Sequence, residues 1–160
     1  MAPNKNRPHV LVLPEDDRNR QLANGFHLDL SSCRQFQVLR PAGGWGEVLD
    51  CFESDHIGEM EKCSNRHMVL LIDFDDNEER LHYAKGKIPG HLTERVFVLG
   101  TLSEPEALRA ALGCSYEIIG SKLALDCRDG TSKTWDHPLL RHNADELGRL
   151  RATVRPILFP

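Results

Sequence analysis

Four short apolar runs punctuate the chain: HVLVL at about 9 to 13, QFQVL at 35 to 39, HMVLLI at 67 to 72 and RVFVL at 95 to 99. Their length and β-branched content predict strands. Runs such as VLLI and VFVL are continuous rather than alternating, the pattern of parallel strands covered on both faces by helices. Between the runs, helical spacing recurs at Leu22, Phe26 and Leu30, at Val48, Leu49 and Phe52, and from Leu81 to Ile88. The order βαβαβαβ predicts an α/β fold: a mainly parallel sheet of about four strands, helices on both faces, right-handed crossovers. Beyond the fourth run the pattern is helical: PEALRAALG closed by Gly113, then YEIIGSKLALDC, then HPLLRHNADELGRLRATV. The tail VRPILFP reads as a last edge strand or a packed extension. No repeat or linker divides the chain, so residues 1–160 read as one domain, with a core over about 8–113 and a helical C-terminal region over about 114–160.

Composition narrows the function classes. With 40% hydrophobic and 28% charged residues, the 160-residue chain can fill a core of ordinary size. A net charge of -4 provides no global basic field to capture nucleic acid, so such a substrate would need a local patch or a protein partner. The opening MAPNKNRPHV lacks the apolar stretch of a signal peptide, and no run approaches the length of a membrane span. The expectation is a cytoplasmic protein without membrane contact. Five cysteines (Cys33, Cys51, Cys63, Cys114, Cys127) are odd in number and form no CxxC pair, which predicts reduced thiols rather than a disulfide framework or zinc knuckle.

The first and third runs each end in a burst of acid, PEDDRNR and DFDDNEER. In open parallel sheets the ligand lies outside the carboxyl ends of the strands, where strand order reverses. If these two strands are neighbours, Glu15, Asp16 and Asp17 face Asp73, Asp75 and Asp76 across one crevice. So many like charges call for protons or a cation, and hard oxygen donors suit magnesium or manganese. In extended backbone Asp73 and Asp75 point to the same side, as two ligands of one ion should. The plainer alternative is that these acids solvate two loops and favour the helix starts that follow. Arg18 and Arg20 lie beside the acids, where cations would be needed on a transferring phosphate. Gly43 and Gly44 in PAGGWGEV offer backbone N–H groups to a phosphate or a plain tight turn. Trp45 reads as core packing or as a base-stacking surface at the crevice mouth. His137, Arg141, His142, Arg149, Arg151 and Arg155 read as a phosphate-facing patch or, by preference, a charged exposed helix face.

Glu15 after the first strand, the Gly-rich turn after the second and Asp73-Phe74-Asp75 after the third together resemble the Toprim domain of topoisomerases, primases and OLD-family nucleases. The resemblance covers about the first 113 residues. It implies a Toprim/Rossmann-like fold in which Asp73 and Asp75 hold magnesium against a phosphodiester while Glu15 acts as general acid or base, or as an indirect metal anchor. A further acid follows the fourth strand in small and OLD-type relatives, and LGTLSEPEALRAAL supplies Glu104 and Glu106; Asp16 completes the candidate metal set. The family usually has glycine where this chain has Asp16, and the OLD-type acid four positions after the glutamate is here Asn19. The implied activity is phosphodiester hydrolysis on DNA or RNA, by a nuclease or the catalytic subunit of a larger system whose partner holds the substrate. VLVLPEDDRNRQL is also similar to the opening of a response-regulator receiver domain. That resemblance would make Asp16 and Asp17 the magnesium pair, Asp73 the phospho-acceptor, and Thr101 and Lys122 its partners, in a signalling or non-catalytic interaction module. The second aspartate and the Gly-rich turn favour Toprim.

Overall fold

A computed structural model describes residues 2–160. Four parallel strands, β1 (His9–Pro14), β2 (Phe36–Val38), β3 (Arg66–Leu71) and β4 (Val96–Leu99), form one sheet in the order β2-β1-β3-β4. The fold is therefore α/β and Rossmann-like, as the continuous apolar runs predict. Helices α1 (Asp17–Leu28), α2 (Trp45–Cys51), α3 (Ile57–Lys62), α4 (Glu79–Gly86), α5 (Pro105–Leu112), α6 (Tyr116–Asp129) and α7 (Ala144–Leu158) complete it. A π-helical turn, Phe52–His56, joins α2 to α3.

Strand pleating divides the apolar residues between two cores. Val10, Val12, Val69, Phe97 and Leu99 face α1, α6 and α7, while Leu11, Leu13, Met68, Leu70, Val96 and Val98 face α2, α3 and α4. The C-terminal helices thus bury Ile119, Leu123, Leu147 and Leu150 against the sheet. Between α1 and α6 the backbones nearly touch. A Cβ on Gly120 would lie 2.0 Å from the Leu22 carbonyl oxygen, and one on Gly25 would lie 2.0 Å from that of Glu117, so only glycine permits this crossing.

In the C-terminal third one expectation needs correction and one open alternative is decided. Helix α7 begins at Ala144, not at His137, because residues before it fold into turns that bring the Asn143 amide onto Gly100. Of the two readings of the tail the packed extension holds and the edge strand does not: α7 continues through Pro156 to Leu158, whose 2% exposure and carbonyl bond from Ser32 N–H outweigh the hydrogen bond that proline cannot donate.

The place beside β4 is instead taken by side chains of α7 and of its N-cap residue Asn143. Val98 N–H donates to Glu146 Oε2 at 2.9 Å, Gly100 N–H to Asn143 Oδ1 at 3.1 Å, and Asn143 Nδ2 returns a bond to Gly100 O at 2.9 Å. Burial alone would push the Glu146 carboxyl up, but Lys85 at 2.9 Å, the Val98 amide and Arg149 at 2.6 Å outweigh it and hold the group below its ordinary range. A helix face thereby satisfies the outward-facing groups that an edge strand would leave open.

Candidate functional site

Strands β1 and β3 run in register to their ends, with Leu13 opposite Leu70 and Pro14 opposite Leu71. Because they are neighbours and β2 and β4 lie to either side, the crevice at their carboxyl ends is where strand order reverses. Glu15 N–H still bonds Leu71 O at 2.9 Å, and Glu15 Oε2 accepts from Asp73 N–H at 2.6 Å. The first acid of one cluster therefore touches the first acid of the other.

Asn19 ties in a third acid. Asp16 caps α1, its Oδ1 accepting from the Asn19 backbone N–H and from Asn19 Nδ2, both at 3.0 Å; the same Nδ2 reaches Asp73 Oδ1 at 2.9 Å. Asn19 is fully buried, and its Oδ1 has no hydrogen-bond partner. One amide thus bridges two carboxylates whose charges it can only partly offset. Burial raises the Asp73 carboxyl most strongly, the Asn19 bond opposes this, and the charges of Glu15, Asp16 and Glu106 add to the rise, so the group sits at about 7 instead of 3.8. Glu15 is also raised, first by burial and secondarily by Asp16, against the Asp73 amide, Arg80 and the Trp45 amide.

Three other candidates stand differently from the sequence expectation. Asp75 does not continue an extended strand beside Asp73, since it and Asp76 adopt φ of 51° and 56°. Their amides bond Ser103 O at 3.1 Å and Leu102 O at 2.7 Å, and that turn leaves the Asp75 side chain 75% exposed, 3.5 Å from Arg80 Nη2. Glu104 is exposed at the start of α5, whereas Glu106, one helical step inward, is the acid whose charge reaches Asp73. Arg18 pairs with Glu106 and lies 3.9 Å from Asp16, so it flanks the site; Arg20 pairs with Asp17 on the first turn of α1.

Gly43 takes φ of 108°, a conformation that a side chain would strain, and its N–H bonds Glu15 O at 2.9 Å. Gly44 opens α2 in extended backbone. The Gly-rich turn accordingly holds the Glu15 backbone and delivers Trp45 to the same rim. The partners of a receiver are not gathered here: Thr101 is 1% exposed and lines the apolar interior, and Lys122 is exposed on α6, as its helical spacing predicts.

Sequence reasoning overlooked Arg80. It donates from Nη1 to Asp73 O at 2.9 Å, pairs with Asp75, and stacks its guanidinium 4.7 Å above the Trp45 ring. Its place in the first turn of the helix after an acidic strand end is the signal that could have found it. His142, expected on an exposed face, has both ring nitrogens buried and packs edge-on against Phe74, with centroids 5.0 Å apart.

The donors available for an ion are all oxygens, the set that suits magnesium or manganese. Among the described residues no three His, Cys, Asp or Glu side chains already form a ligand group. Magnesium does not require one, because one or two carboxylates with waters and substrate phosphate commonly suffice. None of the described helices is long and apolar enough to cross a membrane. Comparison with known proteins gives no match: no family model fits the chain, and no curated protein and no solved structure is significantly similar to it.

Proposed function

We propose that the chain is a Toprim-like, divalent-metal-dependent phosphodiesterase that acts on nucleic acid, alone or as the catalytic subunit beside a substrate-holding partner. The observation that carries this reading is the meeting of Asp16 and Asp73 on the Asn19 amide, with Glu15 accepting from the Asp73 N–H at the β1/β3 switch point and Asp73 raised to about 7. A carboxylate cluster that retains a proton at neutral pH is destabilised as it stands, and a bound cation relieves that repulsion.

Asp73 and Asp16 would hold magnesium or manganese, which when bound neutralises charge on a phosphoryl oxygen and activates water. Glu15, whose carboxyl is raised by burial, is the group suited to move a proton to or from the reacting oxygen. Arg80 and Arg18 flank the acids and supply the positive charge that a phosphodiester needs beside them. Asp75, exposed and paired with Arg80, sets that arginine's position rather than taking the ligand role the resemblance implies.

The test is a manganese-dependent cleavage assay at low salt, run beside thermal melting. The parent protein should melt higher with millimolar manganese by mass action and cleave single- or double-stranded substrate. Asp73→Asn should lose both responses. An Asp73→Asn protein that responds to manganese as the parent does would place the ion elsewhere and defeat the reading.

A further inference from the structure

Between the sheet and the helix layer of α1, α5, α6 and α7 lies an apolar slot of about 80 Å³. All four strands line it, Val12, Phe36, Val69, Leu71 and Leu99 among their residues. Neighbouring strands stand about 4.8 Å apart, so a slot that touches both β2 and β4 runs roughly 14 Å across the sheet. So small a volume drawn out over that length is one hydrocarbon chain wide. The polar groups in its wall decide what it can hold. Trp135 Nε1 donates to Leu123 O at 3.1 Å, and Asn143 uses both ends of its amide on Gly100 and Leu140. That leaves Thr101, 1% exposed, whose Oγ1 is buried without a hydrogen-bond partner. A buried water needs about two to four polar partners and would find one here, so the slot favours an apolar occupant over water. Of the lining side chains only Phe26 and Leu71 are partly exposed. Leu71 ends β3 directly below the acids, its carbonyl bonded by Glu15 N–H, and Thr101 O accepts the Phe74 N–H beside Asp73. The free hydroxyl and the partly open Leu71 therefore share the crevice end of the slot.

We propose that this slot is a binding site for a neutral, unbranched aliphatic molecule with a single acceptor oxygen, to which the Thr101 hydroxyl donates. The hydroxyl supplies the polar selection: left without a partner in an apolar wall it is costly, and an acceptor on the ligand removes that cost. Charge excludes an anionic head group, because Glu15, Asp16 and Asp73 stand at this end of the sheet and no lining residue is cationic. Width excludes a ring. The site is independent of the metal reading, since none of the acids lines the slot.

Methyl-resolved proton–carbon NMR of the full chain, titrated in EDTA with xenon and with methyl propyl ketone, tests this. Both probes should shift the methyl signals of Val12, Val69 and Leu99 saturably and leave those of Leu13, Met68 and Leu70, on the other face of the sheet, in place. Cyclohexanone, wider than one chain, should give no saturable shift. Thr101→Val keeps the side-chain shape, removes only the hydroxyl that has no partner, and should fold at least as stably as the parent. It should weaken the open-chain ketone about 2- to 10-fold, the range of one neutral hydrogen bond, and leave xenon binding unchanged. Val69→Ile adds a methylene to the slot and should abolish the binding of both probes. No saturable shift in the parent, shifts spread equally over both faces, cyclohexanone bound as well as the open-chain ketone, or Thr101→Val binding that ketone like the parent would each overturn the site. A Val69→Ile protein that binds both probes like the parent would do the same. If that variant fails to fold, the location of the shifts in the parent and the Thr101→Val comparison decide the outcome.

Discussion

Replacing Asp73 by asparagine should stabilise the metal-free protein at alkaline pH, the reverse of the usual effect at a buried hydrogen-bonded position. The substituted carboxamide would keep an oxygen for the Asn19 amide and would remove a charge that Glu15, Asp16 and Glu106 oppose. The carboxyl rises on folding from 3.8 to about 7, so between those values the folded state holds more protons than the unfolded chain. Stability therefore falls as pH rises through that window and levels off above it. By linkage a displacement of this size amounts to about 4 kcal/mol at most, and solvent around the half-buried side chain screens it to about 1 to 2 kcal/mol. The variant should melt about 2 to 8 °C above the parent at pH 8, with the gap closing toward pH 4. Scanning calorimetry of both proteins in EDTA across this range measures it. An asparagine variant less stable than the parent at pH 8 would refute the claim that this carboxylate is held against its preference.

Other outcomes follow from the same geometry. Because a metal must displace the Asp73 proton, apparent manganese affinity by isothermal titration should rise up to about tenfold per pH unit below about 7 and flatten above. Glu15→Gln should keep the fold and its metal-induced melting shift while cleavage falls about a hundredfold or more; equal loss of metal binding would make Glu15 a ligand instead. Glu146→Ala strips the partner from Val98 N–H, Lys85 and Arg149, so urea unfolding should show a loss of roughly 3 kcal/mol. Gly120→Ala drives a methyl group into the Leu22 carbonyl and should cost about 1 to 3 kcal/mol or more by the same measurement.

The strands were legible because burial on both faces leaves continuous runs such as VLLI, a local signal. The position of the acids at one end of the sheet was legible for the same reason, since each follows directly on such a run. What the residues beyond the strand ends do was not. The left-handed turn at Asp75 and Asp76 depends on carbonyls of Leu102 and Ser103 that are distant in sequence. The Asp-Asp-Asn triplet is nevertheless a turn signal, because these residue types tolerate that backbone conformation. Glu106 rather than Glu104 reaches the site because of helix phase, which a run of letters does not reveal. Asn19 looked like a missing acid. It is the group that joins Asp16 to Asp73.

The side-chain bonds from α7 to the edge of β4 bear on where this unit can be cut. Asn143 clamps both backbone groups of Gly100. Gly100 lies so close to the end of β3 that a Cβ on it would fall 1.6 Å from the Ile72 carbonyl oxygen. The next residue, Thr101, accepts the Phe74 N–H, and Leu102 and Ser103 hold the amides of the acidic turn. A chain ended after residue 113, where the Toprim resemblance stops, would leave the loop that seats Asp73 without its outer buttress. The C-terminal third thus buttresses the loop behind the acids rather than being an appendage, and a minimal folded fragment, whether made by protease or by cloning, has to extend through Leu158.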